Sequence, residues 1–420
     1  MCKGLVVALK IAMLTTFYPP YNFGGDGAGI NRLSTGLADR GHEVTVIHDR
    51  DAYVALAGRE PAPIPSDPRI KVIGLKSSLG KLSMLLTHQL GRPVTHARQL
   101  SDLLDGGSFD IIWFHNVSLI GGPGLLQYGN GLKLYEAHEH WLVCETHVLW
   151  QDGERPCEDR HCLSCTLRHR RPPQIWRRTG MLTREARHVD AFIAKSEFSR
   201  QKHRAFGFAR DMEVIPYFLP DSASRAMSES PYPRPYFLFV GRLEKIKGVQ
   251  DIIPAFGGAN GPDLLIAGTG EYEQTLREQA EGHSRVTFLG RLAPEVLTAY
   301  YEHARALIVP SLCYETFGII IIEAFRAGTP VLARRLGPFP EIIAKGGGLL
   351  FERADELRAA ITTISSDGHY REKLSRAARK AFQENWADRI VLNRYFDLIS
   401  RLARERGMNE VSAAAEASRT

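Results

Sequence analysis

Along the chain, short runs that are apolar almost throughout alternate with stretches whose apolar residues recur at helical spacing. KIAMLTTF is followed by a glycine-rich turn, then INRLSTGLADRG with a helical rhythm, then HEVTVIHD. IKVIGL, FDIIWFHN, GLKLYEAH, DAFIAKS and MEVIPYF continue the strand-like series. Strands without a polar face, separated by helices, predict a parallel sheet covered on both sides.

The rhythm stops at residues 219–235, LPDSASRAMSESPYPRP, whose composition is that of a linker. A second alternation follows in PYFLFVGRL, DLLIAGTG, RVTFLGRL, ARALIVPS, TPVLARR and GGLLFER. The predicted fold class is α/β, with two Rossmann-like doubly wound domains facing a central cleft. The first spans residues 1–218, the linker 219–235 and the second 236–385. Residues 358–407 read as helices with Arg and Lys on their polar faces, and the final NEVSAAAEASRT as a frayed tail. In open parallel sheets, ligands sit beyond the carboxyl ends of the strands, so functional residues are expected in the loops that follow them.

Composition adds limits to this picture. A chain of 420 residues is long enough for two cores. With 44% hydrophobic and 24% charged residues it has the make-up of a globular enzyme. A net charge of +6 permits an anionic substrate or a membrane surface, but is too mild to point to nucleic acid. Lys3 followed by GLVVALKIAMLTTF imitates a signal peptide. Lys10 interrupts the apolar stretch and no small-residue cleavage site follows, so residues 10–16 read as a buried strand of a cytoplasmic protein. Six cysteines do not suggest a disulfide scaffold, and Cys2 and Cys313 read as ordinary small residues.

The strongest candidate chemistry is ETFGIIIIEAFRAGTPV, after the run ALIVPS. Glu323 lies eight positions beyond Glu315, about two helical turns, so the pair can reach two ends of an extended polar ligand. The N–H groups of Thr316, Phe317 and Gly318, placed at a helix start, would favour phosphate oxygens. Carboxylates accept from vicinal diols, which suits Glu323 to a ribose and Glu315 to a sugar ring. Taken alone, the pair is equally an acidic first turn and a surface glutamate. In GRLEKIKG, Arg242 and Lys247 follow another strand and match a diphosphate; two solvated basic residues are the alternative. Glycine loops at AGTGE, which contains Gly268, and at LGRL allow close backbone approach to a nucleotide.

Taken in order, GRLEKIKG, AGTGE, TFLGRL, VPSLCYETFGIIIIEAFRAGTPVLA and LGPFPEII…GGGLLF resemble the nucleotide-sugar half of family 4 retaining glycosyltransferases of GT-B fold. FYPPYNFGGDGAG, LADRGHEVTVI and SEFSRQ…VIPYFLP match the other half, so the likeness covers about residues 10–400. The resemblance implies transfer of a sugar from a nucleotide-diphosphate sugar, UDP being favoured, to a hydroxyl acceptor. The first domain would bind the acceptor, a final helix at about 386–410 would pack back on it, and the linker would serve as hinge. Arg242 and Lys247 would bind the diphosphate, Glu323 the ribose, and Glu315 the transferred sugar with the amides of Thr316, Phe317 and Gly318. Leu289 and Arg291 would frame the base, and Gly25 would let backbone approach the phosphate. His138 would meet the sugar, with His115 ranked below it and His140 below that. Front-face attack assisted by the departing phosphate needs no catalytic metal.

Cys144, Cys157, Cys162 and Cys165 lie outside the general family pattern, and a subset of the family is similar here. Four thiolates suit a structural zinc that braces the acceptor pocket; free or redox thiols are the alternative, and His147 or His161 could replace one ligand. TLRHRRPPQIWRRTG then reads as a solvated basic face, or as a peripheral contact with the inner face of a membrane. A sugar-nucleotide epimerase or hydrolase on the same fold, and a zinc-stabilised interaction protein with a vestigial donor site, are the competing functions.

Overall fold

The computed structural model describes residues 8–221, 229–258 and 261–419. Cys2, Lys3 and part of the expected linker, residues 222–228, lie outside the described residues. The chain divides into two compact units. One comprises the chain up to Gly153, then Cys157–Tyr217 and the chain from Arg389 onward; the other comprises Glu154–Pro156 and Phe218–Asp388.

The first unit is built on a seven-stranded sheet. Its spatial order is Ile70–Leu75, Glu43–Asp49, Lys10–Thr15, Ile111–Phe114, Leu132–Ala137, Ala191–Ala194 and Met212–Val214. All pairings are parallel. The central strands are buried residue by residue, as unbroken apolar runs require when helices cover both faces. Gly25–Ala38 is the first covering helix, with Ile30, Leu33 and Leu37 on its buried stripe. Gly29 is essential to that packing, because a Cβ there would stand 2.8 Å from the ring of Tyr217.

The second unit carries a six-stranded parallel sheet in the order Val286–Gly290, Asp263–Ala267, Tyr236–Val240, Leu307–Val309, Val331–Arg334 and Gly348–Phe351. Both sheets reverse strand order beside their first strand, which leaves a switch point there.

Two expectations change. The last residues are not a frayed tail. Asn409–Ala417 is a helix with Val411, Ala414 and Ala415 buried, and it is tied to helix Asp388–Glu405 by Ser412–Ser400 and Glu416–Arg404 contacts. The alanine-rich composition supplies a small buried stripe that looks featureless in sequence. Within the basic stretch TLRHRRPPQIWRRTG, read as a solvated face or a membrane contact, Trp176 is not at the surface. It is buried, donates to the carbonyl of His88 at 2.9 Å, and lies beneath the Arg177 guanidinium at 4.6 Å. Among the described residues no helix is long and apolar enough to cross a membrane.

Candidate active site

In the second unit, four adjacent strands deliver the predicted donor residues to one edge of the sheet. Arg242 and Lys247 follow Tyr236–Val240, Gly268 follows Asp263–Ala267, Leu289 and Arg291 close or follow Val286–Gly290, and Glu315 follows Leu307–Val309. The loops after Tyr236–Val240 and Leu307–Val309 flank the switch point. Leu312 N–H donates to the Ile246 carbonyl at 2.8 Å, and Gly248 has a φ of 74°, where an added Cβ would stand 2.1 Å from the Pro310 carbonyl oxygen. This sewing brings Lys247 Nζ to 2.6 Å from Glu315 Oε1, and the Ser311 hydroxyl donates to the same oxygen at 3.2 Å. Burial opposes both charges, but the partner outweighs it: Glu315 is held below its ordinary value and Lys247 above its own. Arg242 is more open, at 59% side-chain exposure, and pairs with Glu244 at 2.7 Å.

Helix Ile319–Ala327 starts later than the sequence suggests. Gly318, with φ 100°, is its N-cap, and Thr316 and Phe317 precede it. The helix-start amides are thus those from Ile319 onward, and the Phe317 side chain is core, edge-on to Trp386. The left-handed glycine sets this boundary; the apolar run masked it. Glu323 lies within the helix, half-buried, and accepts from the Tyr301 hydroxyl at 2.9 Å.

The glycine loops also have a packing role. A Cβ on Gly268 would collide with the Gly241 carbonyl, and one on Gly270 with that of Leu243. These glycines therefore let two strand-end loops pack on each other. Gly268 N–H also donates to Gly290 at 2.8 Å.

In the first unit, Gly25 opens its helix after the first strand, with nothing within 4 Å of where a Cβ would stand. His115 and His138 follow neighbouring strands and meet, Nδ1 of His115 lying 2.9 Å from Nε2 of His138. The other ring nitrogen of His138 is 2.6 Å from the Tyr217 hydroxyl. His138 is thus engaged at both nitrogens and its side chain is 1% exposed, so it is held within the unit and not presented outward. His140 stacks near His203, at 5.2 Å between centroids.

What the sequence reading missed is the buried ion pair beside these histidines. Glu136, two residues before His138, is 2% exposed and forms an ion pair with Lys195, itself 1% exposed. The Tyr395 hydroxyl bonds both, at 3.0 Å from Glu136 and 2.8 Å from Lys195. Burial would raise the Glu136 carboxyl, but Lys195 and the two imidazoles hold it down at about 2. Burial also drives His138 and His115 well below the ordinary histidine value, His115 to about 4, so both imidazoles are neutral at pH 7. The available signal was a charge set inside each of two apolar runs, LKLYEA and DAFIAKS. Asp26, beside Gly25, is a second omission: burial and the Glu139 carboxylate raise its pKa.

Cys144, Cys157, Cys162 and Cys165 line one small cavity with Leu149, Trp150 and Phe206, and His161 joins them. His147 does not; it pairs with Glu139 at 2.8 Å. The four cysteines are free thiols with separate local partners, such as Thr146 for Cys144 and the Asp159 carbonyl for Cys157. They are not among the donor groups that close to within 4.8 Å of one another in the described residues. Burial and then the neighbouring sulfurs push Cys157 up to about 11. Mutual repulsion of this kind is what a bound dication reverses.

Comparisons with known proteins show the family and the fold. Residues 23–221 match the family described as Glycosyltransferase Family 4, and residues 221–381 match Glycosyl transferases group 1. A glycogen synthase of Mycobacterium tuberculosis is 28% identical over 408 residues, covering 89% of this chain and 90% of that protein. The sucrose-phosphate synthase of Thermosynechococcus elongatus superposes with a TM-score of 0.73 at 20% identity, over 94% of this chain and 100% of its own. The Anabaena protein HepE, in complex with UDP, gives 0.64 at 19% identity over the same shares. Matched in both halves and sharing the GT-B fold over nearly its whole length, the chain belongs to glycosyltransferase family 4, retaining enzymes that transfer a sugar from a nucleotide sugar.

Proposed function

We propose that the enzyme moves a sugar from a UDP-sugar to a hydroxyl acceptor by a metal-independent front-face reaction. The second unit binds the donor and the first binds the acceptor. The observation that carries this reading is the Lys247–Glu315 pair at the switch point of the second sheet. An ammonium has three donors, so Lys247 can hold Glu315 and a diphosphate oxygen together, while the exposed Arg242 guanidinium grips further oxygens. Glu315 and the loop Thr316–Gly318 take the sugar, Glu323 the ribose, and Leu289 and Arg291 frame the base. As the bond from the anomeric carbon to the phosphate oxygen breaks, the acceptor oxygen bonds to that carbon on the same face. Its proton passes to the departing phosphate. Arg242 and Lys247 stabilise the negative charge that develops on the leaving group. Binding of UDP to HepE supports UDP as the leaving group. For His138 to contact the sugar, one of its present ring partners, Tyr217 or His115, has to give way.

We further propose that Cys144, Cys157, Cys162 and Cys165 hold a structural zinc, which would supply no chemistry beyond bracing the loop after His138. Shared lining of one cavity by all four supports it. The cytoplasm, where thiols stay reduced, is the compartment that suits these free cysteines.

The test is a thermal-shift screen across sugar nucleotides, because a ligand of the folded state raises Tm. UDP and one UDP-sugar should stabilise the protein and GDP analogues should not. NMR of the product should show the donor's anomeric configuration, and donor incubated alone should stay intact. Rapid epimer formation or hydrolysis would instead identify water or the donor itself as the reactant. Zinc analysis of protein purified under reducing conditions should find the metal, and its loss in Cys162→Ser should follow.

A further inference from the structure

The first unit contains a second cluster of buried donors, away from the histidines described above. Asp49 ends strand Glu43–Asp49 and caps helix Arg50–Ala57, its Oδ1 accepting from Ala52 N–H at 3.0 Å. Asp51 stands in the first turn of that helix and accepts from Ser77 N–H at 2.7 Å. His96 precedes helix Ala97–Leu104. Its Nε2 lies 3.6 Å from Asp51 Oδ2 and 4.0 Å from Asp49 Oδ1. All three residues are buried, with exposures of 1%, 6% and 2% for Asp49, Asp51 and His96. One donor atom from each lies within 4.8 Å of the other two.

We infer that Asp49, Asp51 and His96 form a divalent transition-metal site that braces the carboxyl end of the second strand against the segment leading into helix Ala97–Leu104. Two observations beyond the grouping itself support this. First, Asp49 Oδ2 is buried and has no hydrogen-bond partner among the described residues, the state in which a carboxylate oxygen costs most. Second, no lysine or arginine among the described residues forms an ion pair with either carboxylate; Arg50, next in sequence, is spent on Glu60 at 3.0 Å. The contrast with His115–Glu136–His138 is informative. That group has the same donor types, but Lys195 already neutralises its carboxylate. Here the two carboxylates have, among the described residues, only an imidazole as a basic side chain within 4 Å.

The spacing also fits. With metal–ligand bonds of about 2.0–2.1 Å in a tetrahedral set, donor atoms stand about 3.3 Å apart, a small rotamer adjustment from 3.6 and 4.0 Å. Two carboxylates and an imidazole suit zinc or manganese better than magnesium or calcium, which take oxygen sets. Ser83, in helix Lys81–Leu90, has its hydroxyl 3.5 Å from His96 Nε2 and is joined to Thr95.

Manganese separates this site from the cysteine cavity, because thiolates select softer ions. The full chain, stripped with a chelator and free of nucleotide, would be titrated with Mn²⁺ while EPR follows the free ion. One saturable Mn²⁺ per chain is expected, unchanged in Cys162→Ser/Cys165→Ser. Asp51→Asn, which keeps an acceptor for Ser77, and His96→Gln should each weaken it at least about tenfold. Circular dichroism would check that both variants fold. Absence of saturable binding in the wild-type chain would overturn the inference and leave a buried proton on Asp49 as the reading. Undiminished binding in folded Asp51→Asn would overturn it too.

Discussion

Lys247 Nζ lies 2.6 Å from Glu315 Oε1, a contact between residues 68 positions apart that joins the loops on either side of the switch point. Because each holds the other in place, removing one disturbs the other. Lys247→Ala and Glu315→Ala should each lower kcat/KM by about 10²–10³, the scale for losing one preorganised charged contact. The double variant should be far less impaired than the product of the two effects. Steady-state kinetics with a fixed donor decides this, and simple additivity would argue against the pair acting as a unit.

Glu136 and Lys195 predict very different stability effects for single and paired replacement. Glu136→Ala strands a buried ammonium and should cost about 3–5 kcal/mol, whereas Glu136→Leu with Lys195→Met should come close to wild type. Four of the five tryptophans, Trp113, Trp141, Trp150 and Trp176, belong to the first unit, so urea unfolding followed by tryptophan fluorescence reports on it. A mild single variant would show that the ammonium finds water or another partner.

Glycines with different surroundings should respond differently to one methyl group. Gly248→Ala and Gly268→Ala meet a carbonyl oxygen at a positive φ, and each should lose about 2 kcal/mol or more. Gly25→Ala meets nothing within 4 Å and should stay within about 0.5 kcal/mol of wild type. If Gly25 gives a donor phosphate access to backbone, this stable variant should nevertheless show a raised donor KM. Calorimetry and kinetics on the three variants separate the two roles.

Buried neutral histidines predict loss of stability in mild acid. Burial lowers His42, His115 and His203 to about 4, and His42 Nδ1 accepts from Leu9 N–H, a bond that protonation would break. Between about pH 6.5 and 4 the unfolded chain binds more protons than the folded one, so stability falls as pH falls through that window and levels off below it. Each histidine contributes up to about 1.4 kcal/mol per pH unit there. Scanning calorimetry at fixed ionic strength should show Tm declining from pH 6.5 to 4; a flat or rising Tm would contradict the buried neutral state.

Much of this was legible along the chain. Every strand of both sheets coincides with an apolar run, because a strand covered on both faces has few polar positions to disguise it; the edge strand Ile70–Leu75 is partly exposed yet still mostly apolar. Arg242, Lys247 and Glu315 announced themselves by following such runs. The helix start was less legible: the backbone of Gly318 moved it to Ile319, past a boundary that apolar periodicity does not mark. The tail helix Asn409–Ala417 was hidden for the reverse reason, since alanine packs without signalling burial.

The sequence alone thus determined the two alternating αβ series, the position of Arg242, Lys247, Gly268 and Glu315 after strands, and the family to which the motifs belong. These are properties of local pattern and order. Only the tertiary structure decided which distant side chains meet. It joined Lys247 to Glu315, turned His138 inward against Tyr217 and His115, placed Lys195 and Tyr395 on Glu136, and set Asp49 and Asp51 beside His96. Each of those meetings depends on which strand lies beside which and on how far each charge is withdrawn from water, and neither is encoded in the spacing of residues along the chain.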